Sequence, residues 1–141
     1  MGSMSDYSYA RIYADDNGES HFDDVSIELS EADFAPPAPP AFVSGPQTAI
    51  QMMFFSAPAG WDGTWHPTPK RQFMAVLKGE FEVEVSDGET RVFVPGELVL
   101  LEDLTGKGHY TKIPESAEEN LIMVTQLPDN DRSSFSGLTT P

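Results

Sequence analysis

Three observations predict that this 141-residue chain has an all-β fold. Short apolar, β-prone segments recur along the chain and are separated by glycine and proline turns. Residues 80–86 alternate strictly between apolar and glutamate side chains, which is typical of a strand with one buried face and one wet face. No long amphipathic helical pattern competes with these strands. Together these features favour a single all-β barrel or sandwich.

The predicted barrel core spans residues 48–127. Its predicted strands are residues 48–56, 72–77, 80–86, 90–94, 98–101, 109–113 and 120–127. Asp87-Gly88 is the strongest hairpin signal in the chain, and Pro95-Gly96 marks the next turn. The first of these strands is apolar on both faces, so we expect the barrel to bury one side and the arm or a second subunit to bury the other. Residues 128–141 are expected to form a flexible tail, which Phe135 and Leu138 could anchor.

Residues 1–47 are predicted to form an extended N-terminal arm. The letters MGSM are typical of an expression-tag remnant, and residues 4–24 are polar and acidic. Within the arm we expect an edge strand at residues 9–13, a reversing turn at 15–18, a short strand at 25–29 and one helical turn at 30–34. The prolines of residues 35–40 then favour a stiff, extended polyproline strap. We expect the arm to exchange strands within a homodimer, which would cover the apolar strand at 48–56.

Composition excludes several classes of function. The chain has no cysteine, so thiol catalysis and thiolate metal sites are ruled out, and a reducing, cytoplasmic location is the default expectation. No apolar run approaches the length of a membrane span. The formal net charge of -15 disfavours binding to nucleic acid or to anionic membranes. We therefore expect a small-molecule ligand, and no nucleotide cofactor.

Two of the three histidines mark a candidate site. His66 and His109 each lie at a predicted loop-to-strand junction beside glycine-containing turns, where a side chain can be directed into the mouth of a barrel. His21 lies in the acidic arm, and its predicted role is that of a surface residue. The alternative for His21 is that an exchanged arm carries it into a site.

The spacing around His66 resembles the first motif of the cupin superfamily, G-x5-H-x-H-x3-E-x6-G. The five motif positions are occupied by Gly60, His66, Thr68, Gln72 and Gly79, so threonine replaces the second histidine and glutamine replaces the glutamate. The second motif is met only at Gly106 and His109. The stretches WHPTPKRQ, DGETRVFVPGE and LLEDLTGKGH resemble small single-domain bacterial cupins. This resemblance implies a jelly-roll barrel with its site in the interior, but it implies no particular reaction.

The residues around this motif leave two chemistries open. In one, His66, His109 and the Gln72 carbonyl hold a divalent metal such as Fe, Zn, Ni or Mn, weakly, because the replaced ligands are neutral. In the other, the two imidazoles act as general base and general acid and Gln72 binds a carbonyl or enolate oxygen. Glu102 and Asp103 precede His109 closely enough to orient it or to act directly.

Four further residues are candidates for substrate binding. Trp61 and Trp65 bracket the loop that carries His66, and Met74 shares a strand face with Gln72. Lys107 lies in a Gly-Lys-Gly loop, where it would neutralise an anionic group. The sequence thus predicts a small-molecule enzyme, either a weakly metal-dependent oxygenase or isomerase, or a metal-free lyase, isomerase or cyclase. The alternative is a cupin that binds a small metabolite without converting it.

Overall fold

The computed structural model describes residues 3–117 and 119–129, and over these residues every regular element is a β-strand. The ten strands are β1 (Ser3–Ala14), β2 (Ser20–Ala32), β3 (Ala41–Val43), β4 (Gln51–Phe55), β5 (Gln72–Lys78), β6 (Phe81–Val85), β7 (Thr90–Phe93), β8 (Leu98–Leu101), β9 (His109–Lys112) and β10 (Leu121–Gln126). The predicted all-β class is confirmed. No helix among the described residues is long and apolar enough to cross a bilayer.

The strands form two sheets that enclose the core. One sheet has seven strands in the order β3-β2-β1-β8-β5-β10-β4, and the other has three in the order β7-β6-β9. The alternation predicted for β6 is confirmed, because Phe81, Val83 and Val85 are buried between the sheets and pack with Ile12 and Val99 from the larger sheet. The hairpin at Asp87-Gly88 joins β6 to β7, with Gly88 at a φ of 103°.

The structure corrects two predictions for the arm. Residues 9–13 do not form an edge strand, because β1 pairs antiparallel with β2 and parallel with β8, in the interior of the larger sheet. Residues 30–34 do not form a helical turn: β2 continues to Ala32, and its last three residues pair with β3. In both cases pairing with a distant segment outweighs the local preference. The arm therefore supplies three strands to the barrel's larger sheet.

The proline-rich strap is also not uniformly extended. The Ala38 N–H donates to the Ala35 carbonyl at 2.9 Å, so residues 35–38 form a turn. Ala38 is one of the few non-proline residues of this stretch, and it retains the donor that the turn requires. After β3 the chain crosses the outer side of the larger sheet to reach β4 at the opposite edge. Phe135 and Leu138, the expected tail anchors, lie outside the described residues.

Candidate functional site

The two loop-to-strand histidines lie side by side, with their rings tilted by 50° to each other. The His66 N–H donates to the His109 carbonyl at 3.1 Å, and the His109 N–H donates to the His66 carbonyl at 3.0 Å. This pairing requires a very close backbone approach at Gly108, where a Cβ would lie 2.1 Å from the His66 carbonyl carbon. The two imidazole rings consequently lie with their centroids 5.2 Å apart. The sequence folds this way locally because glycine alone leaves room at position 108.

His109 is oriented by Asp103. Both side chains are buried, and the His109 Nδ1 lies 2.7 Å from Asp103 Oδ2. A carboxylate oxygen accepts hydrogen bonds, so Nδ1 carries the proton that is donated to Asp103. The other carboxylate oxygen, Oδ1, is buried and has no hydrogen-bond partner among the described residues. The imidazole of His109 is thus the described side chain that hydrogen-bonds to Asp103, and its Nε2 is left to face the cavity.

His66 has the same arrangement with a backbone acceptor. Its Nδ1 lies 2.9 Å from the Thr64 carbonyl, so Nδ1 donates and Nε2 is again the nitrogen left over. Thr64 is the one non-glycine residue at positive φ (54°) among residues 3–117 and 119–129. Within the same residues, no protein group hydrogen-bonds to Nε2 of either histidine. The fold therefore presents two imidazole Nε2 atoms as unoccupied proton acceptors or ligands.

Three glutamines form a hydrogen-bonded ladder across neighbouring strands. In the strand register, Gln126 of β10 lies opposite Gln72 of β5 and opposite Gln51 of β4. The side-chain Nε2 of Gln51 donates to the side-chain Oε1 of Gln126 at 2.6 Å. The side-chain Nε2 of Gln126 in turn donates to the Oε1 of Gln72 at 2.9 Å. The Gln72 amide in turn donates to the Thr68 hydroxyl at 3.2 Å.

The direction of this ladder is fixed at one end. The Thr68 hydroxyl lies 2.6 Å from the Lys70 carbonyl, and because a carbonyl only accepts, the hydroxyl must donate there. The hydroxyl can then only accept from Gln72, which places the Gln72 nitrogen beside Thr68 and the Gln72 oxygen beside Gln126. The Gln72 nitrogen keeps one further N–H. That N–H is the group Gln72 has left to offer a ligand.

A cavity of about 260 Å³ lies between these groups. The two histidines, Thr68, Gln72, Thr111 and Gln126 form its polar wall. The rest of the lining is apolar or aromatic and comes mainly from Met53, Phe54, Phe55, Trp61, Met74, Phe81, Leu101, Ile113, Ile122 and Val124. None of the described side chains that line it is charged. Because an ion would lose its hydration there without a counter-charge, the cavity suits a neutral molecule.

The candidate substrate-binding residues divide into two groups. Trp61 and Met74 line the cavity, and the Trp61 ring packs edge-on against Phe55 with centroids 5.7 Å apart. Trp65 lies outside the cavity, where it stacks on Tyr110 at 5.7 Å. Lys107 also lies outside, and its ammonium contacts a Glu19 carboxylate oxygen at 2.5 Å.

Glu102 does not reach His109. Its carboxylate accepts from Arg11 Nε at 2.6 Å and from Arg71 Nε at 2.8 Å, and all three side chains are largely buried. Burial alone would raise the pKa of Glu102, but the hydrogen bonds and positive charges of the two arginines outweigh burial and lower it. Glu102 thus ties β1 to the end of β8 and the start of β5. Of the two neighbouring acids, Asp103 is the one brought to the histidine pair.

His21 lies away from the cavity and links two turns. Its Nε2 is 2.7 Å from Asp15 Oδ2, and its Nδ1 is 2.8 Å from Asp87 Oδ2. Both nitrogens face acceptors, so both must donate, which only the protonated imidazole does. The hydrogen bond to Asp15, followed by the one to Asp87, raises the pKa of His21. The same contacts hold the β1–β2 turn against the β6–β7 hairpin.

The residues present do not fit a tightly held divalent metal. Among residues 3–117 and 119–129, no three His, Asp or Glu side chains are grouped as a metal site. The Thr68 hydroxyl is engaged as both donor and acceptor, and the Gln72 oxygen already accepts from Gln126. What remains is two neutral imidazoles without an anionic ligand, which is a weak donor set for a divalent cation.

Gln126 is the cavity residue that the motif spacing does not reveal. It belongs to no motif, and its position in the sequence gives no reason to single it out. What identifies Gln126 as a cavity residue is the strand register, which places it directly beside Gln72. Given the predicted strands at 72–77 and 120–127, an antiparallel pairing that aligns their glutamines would have revealed it.

Two solved structures resemble this one over most of the chain. An RmlC-like cupin from Shewanella frigidimarina NCIMB 400 is 17% identical, with a TM-score of 0.38, over 93% of this chain and 98% of that chain. Protein NMB1881 from Neisseria meningitidis is 12% identical, with a TM-score of 0.36, over 87% of this chain and 88% of that chain. No protein-family model and no curated protein matches the chain. By its own strand order and two-sheet core, the chain has an all-β, jelly-roll barrel fold.

Proposed function

We propose that the protein is a metal-independent acid/base enzyme that moves a proton on a small neutral molecule bound in the histidine cavity. The observation that carries this proposal is the buried Asp103–His109 hydrogen bond at the wall of an uncharged cavity. A carboxylate that holds one imidazole nitrogen fixes the tautomer and aims the other nitrogen at a reactant. The two Nε2 atoms, which have no partner among the described residues, are the groups that exchange protons with the ligand.

The expected reaction begins with removal of a proton from a carbon next to a carbonyl group. Neutral His109 accepts this proton at Nε2, and Asp103 stabilises the imidazolium that results. The electron pair of the broken C–H bond moves into an enolate, whose oxygen accepts the spare N–H of Gln72. The proton then returns to the ligand from Nε2 of His109, directly or by way of the neutral Nε2 of His66, either to another carbon, which is an isomerisation, or to a leaving oxygen, which is an elimination.

Cavity size and lining support one class of ligand for this proposal. A cavity of about 150 Å³ accommodates benzene, so a cavity of about 260 Å³ admits roughly ten non-hydrogen atoms. The ligand is expected to be uncharged, because the lining supplies no compensating charge. It should carry one carbonyl or hydroxyl group for the Gln72 end and an apolar body for the Trp61 and Met74 side.

Hydrogen–deuterium exchange tests this proposal whatever the final product of the reaction is. The protein is incubated in D2O with a panel of small neutral ketones, lactones and enols, and loss of the α-proton is followed by NMR. Wild type should exchange the α-proton of at least one compound, and treatment with a chelator should leave the rate unchanged. Asp103→Asn should slow exchange by about 100- to 10,000-fold, the range expected when a carboxylate no longer orients its histidine.

His21→Gln is the matched control, since it removes the third histidine, which lies away from the cavity. Its exchange rate should equal that of wild type. Binding of panel compounds in the cavity without exchange would contradict catalysis and support the non-catalytic metabolite-binding alternative. Activity that disappears with chelation and returns with Fe, Zn, Ni or Mn would overturn metal independence and support a weakly held metal instead.

A further inference from the structure

The loop that leads into His109 contains two glycines at positive φ, Gly106 at 84° and Gly108 at 76°. Glycine has no Cβ to restrict its backbone, so a loop of this kind is not ordered by its own residues. Its order must come from contacts with other segments of the chain. Since His109 follows Gly108 directly, the same contacts decide where the imidazole of His109 lies.

The N-terminal arm supplies these contacts, through the turn between β1 and β2 and the residue that follows it. The Lys107 N–H donates to the Gly18 carbonyl at 2.9 Å. Gly106 packs directly on Gly18, since a Cβ at Gly106 would lie 2.5 Å from the Gly18 carbonyl oxygen. At the start of β2, the Ser20 hydroxyl donates to the Gly108 carbonyl at 2.6 Å in a buried hydrogen bond. The arm therefore contacts the histidine loop along residues 106–108.

The direction of the Ser20 hydroxyl is fixed by Ser86. The Ser86 N–H donates to Ser20 Oγ at 2.7 Å, and the Ser20 N–H donates to Ser86 Oγ at 2.6 Å. Because the Gly108 carbonyl only accepts, the hydroxyl proton of Ser20 must be the one that is donated there. Ser20 is 0% exposed, so solvent does not compete for this proton.

We propose that Ser20 is a positioning residue for His109, because its hydroxyl fixes the peptide group between Gly108 and His109. That group is planar, so its carbonyl and its N–H turn together. Ser20 holds the carbonyl on one side, and on the other side the His109 N–H donates to the His66 carbonyl at 3.0 Å. With both ends held, the peptide group does not rotate, and His109 Nδ1 stays 2.7 Å from Asp103.

Loss of the Ser20 hydroxyl should therefore act on the histidine as well as on stability. The buried Gly108 carbonyl would lose its donor, and the peptide group would rotate toward another partner. His109 would then shift relative to Asp103, and its Nδ1 would no longer be reserved for the carboxylate. The role of Ser20 in catalysis rests on the proposed function, whereas its role in orienting His109 does not.

The tautomer of His109 is the first test, measured by nitrogen-15 NMR of the neutral imidazole in protein labelled at histidine. The signal of His109 is assigned by its absence from His109→Gln. Wild type should show a single tautomer with the proton on Nδ1, because Asp103 accepts that proton. Ser20→Ala should show a mixture of the two tautomers. A role of Ser20 in stability alone would leave the tautomer unchanged.

The exchange rate of the ligand α-proton is the second test. Ser20→Ala should lower this rate about 10- to 100-fold, the loss expected when a catalytic group is misplaced by about 1 Å. The loss should appear in the rate at saturating ligand. The ligand concentration at half saturation should stay close to that of wild type, because Ser20 does not line the cavity.

Ser86→Ala is the matched control, because it breaks the same pair of serines from the other side. In this variant the Ser20 N–H loses its acceptor, but the Ser86 N–H and the Ser20 hydroxyl remain. The hydrogen bond to Gly108 is therefore kept. Both variants should lose stability in urea denaturation. Only Ser20→Ala should change the tautomer of His109 and the exchange rate.

The outcomes separate this proposal from the proposed function. If Ser20→Ala does not fold, Ser20→Cys decides the question, because a thiol is a weak donor of similar shape and should give the same mixed tautomer. A single Nδ1–H tautomer in the Ser20 variant, or a mixed one in Ser86→Ala, would overturn the positioning role and leave the proposed function standing. If wild type exchanges no compound while Ser20→Ala shows the mixed tautomer, the proposed function fails and the positioning of His109 stands.

Discussion

Replacing Glu102 by glutamine should destabilise the protein strongly, although the residue is not part of the histidine cavity. The substitution keeps the shape of the side chain but removes the negative charge that lies against Arg11 and Arg71. Breaking a buried ion pair by neutralising one partner costs about 3–5 kcal/mol, because the opposite charge stays buried. A chain of this length unfolds with an entropy of about 0.3 kcal/mol/K, so Tm should fall by about 10–17 °C.

The assays are thermal denaturation for Tm and urea denaturation for the free energy of unfolding, both followed by circular dichroism at one protein concentration. Glu89→Gln is the matched control, because the Glu89–Arg91 pair has a similar distance of 2.8 Å but is more exposed. An exposed pair contributes about 0–1 kcal/mol, so this variant should stay close to wild type. A loss below about 1 kcal/mol for Glu102→Gln would refute the structural role assigned to Glu102.

Acid provides a second check on the same ion pair. The pKa of Glu102 is lowered in the folded state: burial opposes ionisation, and the two arginines outweigh burial. A group with a lowered folded pKa stabilises the fold above its unfolded pKa, near 4.3, and loses that contribution as the pH falls through the folded value. The difference in free energy of unfolding between wild type and Glu102→Gln should therefore be largest at pH 7 and decrease in acid. A gap that is the same at pH 7 and pH 3 would contradict this reasoning.

Two further predictions concern the turns. His21 donates hydrogen bonds to Asp15 and to Asp87, and these raise its pKa. Its contribution to the free energy of unfolding is therefore full below about pH 6.5 and is lost as the pH rises through the folded value. Urea denaturation at pH 6 and pH 9 should show a decrease in stability that His21→Gln lacks. Gly108→Ala should destabilise far more than Gly88→Ala: both have positive φ, which costs about 1–2 kcal/mol, but only at Gly108 would the Cβ overlap another backbone. Equal losses for the two glycine variants would show that the close approach of the two histidine loops is not tight.

The fold was predictable from the sequence wherever a local signal decides the structure. The alternation of residues 80–86 and the Asp87-Gly88 turn each act over a few residues, and both were predicted correctly. The arm was not, because β1 is held by pairing with β8, almost 90 residues later in the chain. A local pattern rich in acidic residues looks like an edge segment until its partner strand is known.

The site was predictable to the extent that motif spacing reports it. His66 and His109 were identified by their positions beside turns, and the structure brings their rings to within 5.2 Å. The choice between Glu102 and Asp103 was not available from the sequence, because both precede His109 by a similar number of residues. The two side chains point in different directions because they are successive residues. Glu102 contacts the arginines, and Asp103 points inward to His109.

Thr68 and Gln72, at two positions of the resemblance to the cupin motif, are coupled to each other. Thr68 and Gln72 occupy the positions at which the motif has a histidine and a glutamate, and here they hydrogen-bond to each other. The hydroxyl is also anchored on the Lys70 carbonyl, and the carboxamide continues into Gln126 and Gln51. Each group depends on its neighbour for its hydrogen bonds, so replacing Thr68 by histidine or Gln72 by glutamate alone would leave a buried partner unsatisfied. These hydrogen-bonded, uncharged side chains thus form an ordered part of the cavity wall at Thr68, Gln72 and Gln126. Such a wall is compatible with the proposed binding of an uncharged molecule beside the two imidazoles.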